Sequence, residues 1–145
     1  MRDSAVVDAS VAVKWFVPEL GSNEADALAT IGLRLVAPSL IRFEVANAFA
    51  RKAVAQLVTP EDGLQYVGLL PRYLDDIVDA ETLLPAAMDL AVRLRHPIYD
   101  CVYLGLARER GTVMVTADKR LLARLEQTDW APYAVLLDGW RPEFP

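Results

Sequence analysis

Four acids in this chain are placed where carboxylates can do chemistry: Asp8, Glu44, Asp100 and Asp118. Asp8 ends the apolar run Ala5-Val6-Val7, and Asp118 follows the run Val113-Met114-Val115 closely. Asp100 sits just past the break at His96-Pro97, and Glu44 lies between Phe43 and Val45. Each alone has a simpler account. Asp8, Asp100 and Asp118 are suited to capping helices, and Glu44 to a solvated helix face. Together they suggest a site. Carboxylates gathered in one place repel and raise one another's pKa values. A hard divalent cation, Mg2+ or Mn2+, removes that conflict and suits oxygen ligands. Such a centre lowers the pKa of water and stabilises the leaving oxygen of a phosphodiester.

Two hydroxyl residues stand beside the acids. Ser10 and Thr116 each lie two residues from a site Asp, within reach of a carboxylate or of a water on the metal. Turn or helix capping is the alternative for both. Lys14, Arg42, Lys119 and Arg120 are the candidate phosphate contacts, against the alternative of plain solvation. No other chemistry competes strongly. Ser39 lacks flanking elbow glycines, and the sole His96 precedes a proline. No zinc-type spacing of Cys and His occurs, and the seven glycines form neither a phosphate loop nor a dinucleotide fingerprint.

The positioning elements alternate in period. Short apolar runs at 4–7, 33–37, 112–116 and 133–137 read as buried strands, with another around Ile77 and Val78 within 76–80. Helices are expected at 10–17, stopped by Pro18, and at 22–31, with Ser22 as N-cap and Glu24 in the first turn. Pro38 and Ser39 are expected to open a long helix through about Gln56. Thr59-Pro60-Glu61-Asp62 is a strong start for a helix to about Tyr73. Further helices are expected at 84–94, from Tyr99 or Asp100 to near Gly111, and at 118–126. Strands separated by helices indicate an α/β fold with a parallel sheet. Sites in such sheets lie beyond the carboxyl ends of the strands, where Asp8 and Asp118 fall. Leu57, Leu64, Tyr66, Val67, Leu69 and Leu70 are numerous for one core face. They read as core or as a surface for a partner.

Length and composition bound the rest. A chain of 145 residues with 54% apolar content suits a single globular domain over 1–145, its core about 4–138 and a tail at 139–145. No apolar stretch reaches the roughly 18 residues of a membrane span. The opening residues show no secretory pattern, and Cys101 is the only cysteine, so a cytoplasmic protein is expected. The net charge of −5 argues against a protein that coats nucleic acid through phosphate contacts alone. Four of those five excess charges are the site acids themselves, and bound metal would neutralise them.

Four stretches carry a family resemblance: VVDAS around Asp8, APSLIRFEVANAFAR around Glu44, HPIYDCVYLGLAR around Asp100 and VTADKRL around Asp118. In this order and spacing they resemble the PIN-domain family, and within it the VapC toxins of prokaryotic toxin–antitoxin pairs. The resemblance covers Val6 to about Leu137. It implies a PIN-like three-layer α/β/α fold around a four- to five-stranded parallel sheet. It implies Mg2+- or Mn2+-dependent endoribonuclease activity, with Asp8, Glu44, Asp100 and Asp118 as metal-binding acids and Ser10 and Thr116 in support. It also implies a homodimer and a VapB-type antitoxin that threads its C-terminal segment over the site. Two other readings are a Mg2+-dependent phosphatase and an inactive PIN-like module that only binds RNA or protein. An aspartyl-phosphate phosphatase needs an acid two residues after its nucleophile, where this chain has Ser10. Buried carboxylates without a role would cost stability, which counts against the inactive module.

Overall fold

Five short strands pair in parallel into one sheet in the computed structural model, which describes residues 3–140. The strands are β1 (Ser4–Val7), β2 (Arg34–Pro38), β3 (Asp76–Val78), β4 (Met114–Thr116) and β5 (Ala134–Leu136), in the spatial order β3-β2-β1-β4-β5. Ala5, Val6 and Val7 are buried, as are Leu35, Val36 and Ala37. A parallel strand covered on both faces needs apolar residues throughout, which is why these segments read as continuous runs.

Helices supply the cover on both faces. α1 (Ala9–Ala12) runs on into a 3-10 turn at Val13–Trp15, and α2 (Ser22–Thr30) packs against that turn. α3 (Ile41–Val54) packs against α1 and carries α4 (Pro60–Leu69). A Cβ on Gly63 of α4 would stand 3.0 Å from the Phe49 Cβ, so α4 approaches α3 as closely as a glycine allows. α5 (Leu84–Leu94) packs on α6 (Ile98–Glu109), which lies against β1, β2 and β4. α7 (Lys119–Leu125) packs against β5. Among the described residues no helix is long and apolar enough to cross a membrane.

Several expected boundaries move for local reasons. Pro38 does not open a helix. It pairs with Val78 as the last residue of β2, where its missing N–H is no loss, and α3 starts at Ile41 and stops at Val54. The Ser39 hydroxyl accepts from Ala80 N–H at 2.9 Å, which ties it to the segment after β3. Ser22 is not an N-cap either. Gly21 takes that place with φ 92, and the Ser22 hydroxyl accepts from Glu19 N–H at 2.9 Å. Pro71 ends α4 early, because it has no N–H for the next helical bond, and a 3-10 turn at Leu70–Arg72 follows. α6 begins at Ile98, one residue before the expected start, and Gly111 closes its end with φ 64. Leu70 is buried and Tyr66 and Val67 pack against the core, whereas Leu57 and Leu64 are exposed. Of the expected tail, residues 141–145 lie outside the described residues.

Candidate active site

The sheet order places a topological switch between β1 and β4. The chain leaves β1 toward β2 on one side, while β4 pairs with β1 on the other. The crevice at the carboxyl ends of such a pair is the usual ligand site of an open α/β sheet. Asp8 sits at this point. Its N–H donates to Val115 O at 3.1 Å, and its own carbonyl accepts from Val11 and Ala12 N–H at 3.0 and 3.1 Å. The backbone of Asp8 thus starts α1, and its carboxylate makes no capping bond.

That carboxylate is instead held by two hydroxyls. Ser10 Oγ and Thr116 Oγ1 both donate to Asp8 Oδ2, each at 2.7 Å. Ser10 Oγ accepts from Ala117 N–H and Thr116 Oγ1 from Asp118 N–H, both at 3.1 Å. Each hydroxyl accepts from a backbone amide and donates to the same acid, which fixes its direction. Asp8 is only 7% exposed. Burial pushes its carboxyl above the usual range and the Asp100 charge adds to that, while the two hydroxyls oppose it.

Glu44 lies in the first turn of α3. Burial raises its carboxyl to about 7, the nearby Tyr103 hydroxyl opposes the rise, and the charges of Asp8 and Asp100 add to it. Among the described residues Glu44 Oε1 and the Tyr103 hydroxyl are both buried without a partner of hydrogen-bond geometry. Burial also pushes the Tyr103 phenol well above its ordinary value, so it stays protonated. Cys101 has its thiol pushed up to about 11 by burial and by Asp100, an inert state for a thiol.

Asp100 lies in the first turn of α6 behind the N-cap Pro97. Its Oδ2 is 2.6 Å from His96 Nε2. Asp8, Glu44 and Asp100 are therefore close enough to act on one another electrostatically. Asp118 stands apart. It is exposed and caps α7, with Oδ1 accepting from Arg120 N–H at 2.9 Å and Leu121 N–H at 3.2 Å. For Asp118 the capping account describes the side chain. Among the described residues no three acids, thiols or imidazoles stand ready as a metal-ligand group. Asp118→Asn separates cap from ligand, because Asn caps as well as Asp. As a cap alone, it should leave melting temperature and catalysis unchanged. As a ligand, it should leave melting unchanged and lower turnover tenfold or more.

The basic candidates divide. Lys14 Nζ lies 3.1 Å from Glu19 Oε1 and donates to Leu20 O at 2.7 Å, so it is tied up locally. Lys52 takes the other Glu19 oxygen at 2.9 Å. Partial burial raises the Glu19 carboxyl, but the two ammonium groups outweigh that and hold it below its ordinary value. Arg42, Lys119 and Arg120 are exposed, one in the first turn of α3 and two in that of α7. A cleft of about 440 Å3 beside Ser10 and Ala117 is also lined by Lys14, Arg51 and Lys52. Arg51, Lys52 and His96 are not among the candidates that the sequence offers. Tyr103 does carry a signal, its place three residues after Asp100 on the same face of α6. His96 precedes the N-cap Pro97, so helical spacing does not single it out.

Comparison with known proteins agrees with this architecture. Residues 5–127 match the PIN domain family model. Ribonuclease VapC3 of Pyrobaculum aerophilum is 27% identical over 118 residues, covering 80% of this chain and 90% of that protein. Ribonuclease VapC1 of Mycobacterium tuberculosis is 28% identical over 127 residues, covering 83% and 90%. The crystal structure of PAE2754 from Pyrobaculum aerophilum superposes with a TM-score of 0.68 at 24% identity, over 93% of this chain and 90% of that one, a likeness of fold. With a family match over most of its length and a five-stranded parallel sheet between helical layers, the chain belongs to the PIN-domain family.

Proposed function

We propose that this chain, a single PIN domain over 1–145, is a VapC-type endoribonuclease that hydrolyses RNA phosphodiester bonds with Mg2+ or Mn2+. The observation that carries the reading is Asp8, a carboxylate buried at the switch point and aimed by two polarised hydroxyls. The named ribonuclease relatives support the substrate class.

The residues fit a hard divalent cation. Their donors are all oxygen, burial and neighbouring acids raise Asp8 and Glu44, and Glu44 Oε1 is a buried atom without a hydrogen-bond partner among the described residues. Asp8, Glu44 and Asp100 would hold the cation, with Asp118 the fourth acid of the set. When bound, the cation would supply Lewis acidity toward water and toward the leaving oxygen of the phosphodiester. Ser10 and Thr116 keep the Asp8 carboxylate oriented. Tyr103 holds its proton beside Glu44. Among the described residues Arg42, Lys119 and Arg120 make no side-chain ion pair and can meet phosphate, and Lys14 can do so only if it leaves Glu19.

The reading extends to a cytoplasmic homodimer paired with a VapB-type antitoxin. Leu84, Met88 and Val92 are exposed at four-residue spacing on α5, which favours a second copy. An apolar groove of about 440 Å3 between α3 and α4, lined by Ala50, Val54, Pro60 and Leu64, favours an antitoxin segment.

The test is substrate class. Purified chain with Mn2+ should cut an internally labelled RNA into discrete fragments and leave p-nitrophenyl phosphate intact. Hydrolysis of the phosphate ester alone would establish the phosphatase, and binding of RNA without cleavage the inactive module. Light scattering of the same preparation should give twice the chain mass, and a clean monomer refutes the dimer.

A further inference from the structure

The turn between α5 and α6 is built around one side chain. Arg95 closes α5 in the left-handed region at φ 49. The His96 N–H then donates back to Ala91 O at 3.1 Å, and Pro97 fixes the entry into α6. The imidazole is only 11% exposed and its Nε2 lies 2.6 Å from Asp100 Oδ2. Among the described residues this is the one side-chain hydrogen bond that Asp100 makes. The other ring nitrogen, Nδ1, is buried without a partner among the described residues. A carboxylate only accepts, so Nε2 carries a proton, and in the neutral ring Nδ1 is then a lone pair. That is the less costly of the two groups to bury unpaired.

The bond opposes a definite force. Asp8 and Glu44 lie close enough to Asp100 for the three negative charges to repel. Asp100 is partly exposed, and without an anchor its side chain would relieve the repulsion by turning to solvent. We propose that His96 is the positioning residue of the candidate metal site: Nε2–H pins one oxygen of Asp100 so that the carboxylate faces Asp8 and Glu44 before a cation binds. The proposal rests on the metal-site reading above and adds to it a residue outside the acid set. Partners of this kind typically change affinity or activity 10- to 100-fold when removed.

The experiment is Mn2+ binding by calorimetry, without RNA, to the wild-type chain, His96→Gln and His96→Leu. The Gln amide places an N–H near the position of Nε2, and Leu fills the space without a donor. His96→Leu should bind Mn2+ roughly 10- to 100-fold more weakly, and His96→Gln within a few-fold of wild type. In the metal-free wild type, imidazole nitrogen NMR should show the Nε2-protonated tautomer with a hydrogen-bonded Hε2, and Asp100→Asn should move that proton upfield. Equal binding by wild type and His96→Leu, equal losses in His96→Leu and His96→Gln, or an Nδ1-protonated ring would each overturn the proposal. Should His96→Leu fail to fold, His96→Asn, too short to reach Asp100, takes its place with the same expected loss. A wild-type chain that binds no Mn2+ overturns the metal-site reading itself, whereas unchanged binding in the variants overturns only the role of His96.

Discussion

Asp8→Asn is expected to lower RNA cleavage by about a thousandfold or more and to leave the fold standing. Metal assistance contributes several kcal/mol to phosphodiester hydrolysis, and each 1.36 kcal/mol is a factor of ten. Losing the most enclosed of the acids should forfeit most of that. The fold should survive because Asn has the same shape and keeps a carbonyl oxygen for the Ser10 and Thr116 hydroxyls, now at 2.7 Å from Oδ2. The substitution also removes a buried charge that Asp100 repels. The metal-free variant should therefore melt no lower than wild type, and by a few degrees higher if the relief is worth about 1 kcal/mol. Cleavage rates on one RNA, with thermal melting in chelator, check both halves. Full activity in the variant contradicts the proposed role of Asp8, and a large fall in melting temperature contradicts the claim that the charge is a burden without metal.

The second large effect is a pH dependence with an unusual sign for an acid. The Glu44 carboxyl is raised from 4.5 to about 7, chiefly by burial. Between those values the folded chain holds a proton that the unfolded chain releases. The contribution of Glu44 to stability is therefore full below about pH 4.5 and is lost as pH rises through about 7. Asp8 is raised as well and acts in the same direction. In chelator the melting temperature of the wild type should fall from pH 5 to pH 8, and that of Glu44→Gln should fall less. With Mn2+ the trend reverses, because the ligand form is the ionised one and metal affinity rises through the same window. Glu44→Gln should also cut RNA on the order of a hundredfold more slowly. Melting curves across pH, with and without Mn2+, read the signs directly. A wild-type melting temperature that rises with pH in chelator contradicts the enclosure of Glu44.

What was legible in the sequence is what local rules determine. Ala5-Val6-Val7 and Leu35-Val36-Ala37 read as strands because burial on both faces leaves no polar positions to confuse the period. Thr59 to Asp62 read as a helix start because the cap is made within four residues, with the Asp62 N–H donating to Thr59 Oγ1 at 3.1 Å. Pro38 reads as a helix opener because its strand partner, Val78, is distant in sequence. The acids show the same division. Asp8 and Asp118 both precede short helices, and the sequence offers capping for each. Only the fold shows that Asp118 spends its carboxylate on α7 while Asp8 turns its own to Thr116, 108 residues away. His96 carries no local sign of a role beside Pro97, yet the turn formed there delivers its ring to Asp100. Tyr103 lies in the apolar stripe of α6, and only its place one turn after Asp100 sets it apart from any other core tyrosine.

The central claim is that acids held at the β1–β4 switch point work through a divalent cation. Chelation and replacement on one preparation test it most directly. The purified chain, stripped with EDTA and exchanged into metal-free buffer, should not cut a defined RNA. Added Mn2+ or Mg2+ should restore the same fragments along a saturating curve, and Ca2+ should restore few or none. Cleavage that persists undiminished in EDTA, or that Asp8→Asn performs as well as wild type after Mn2+ is restored, would contradict it.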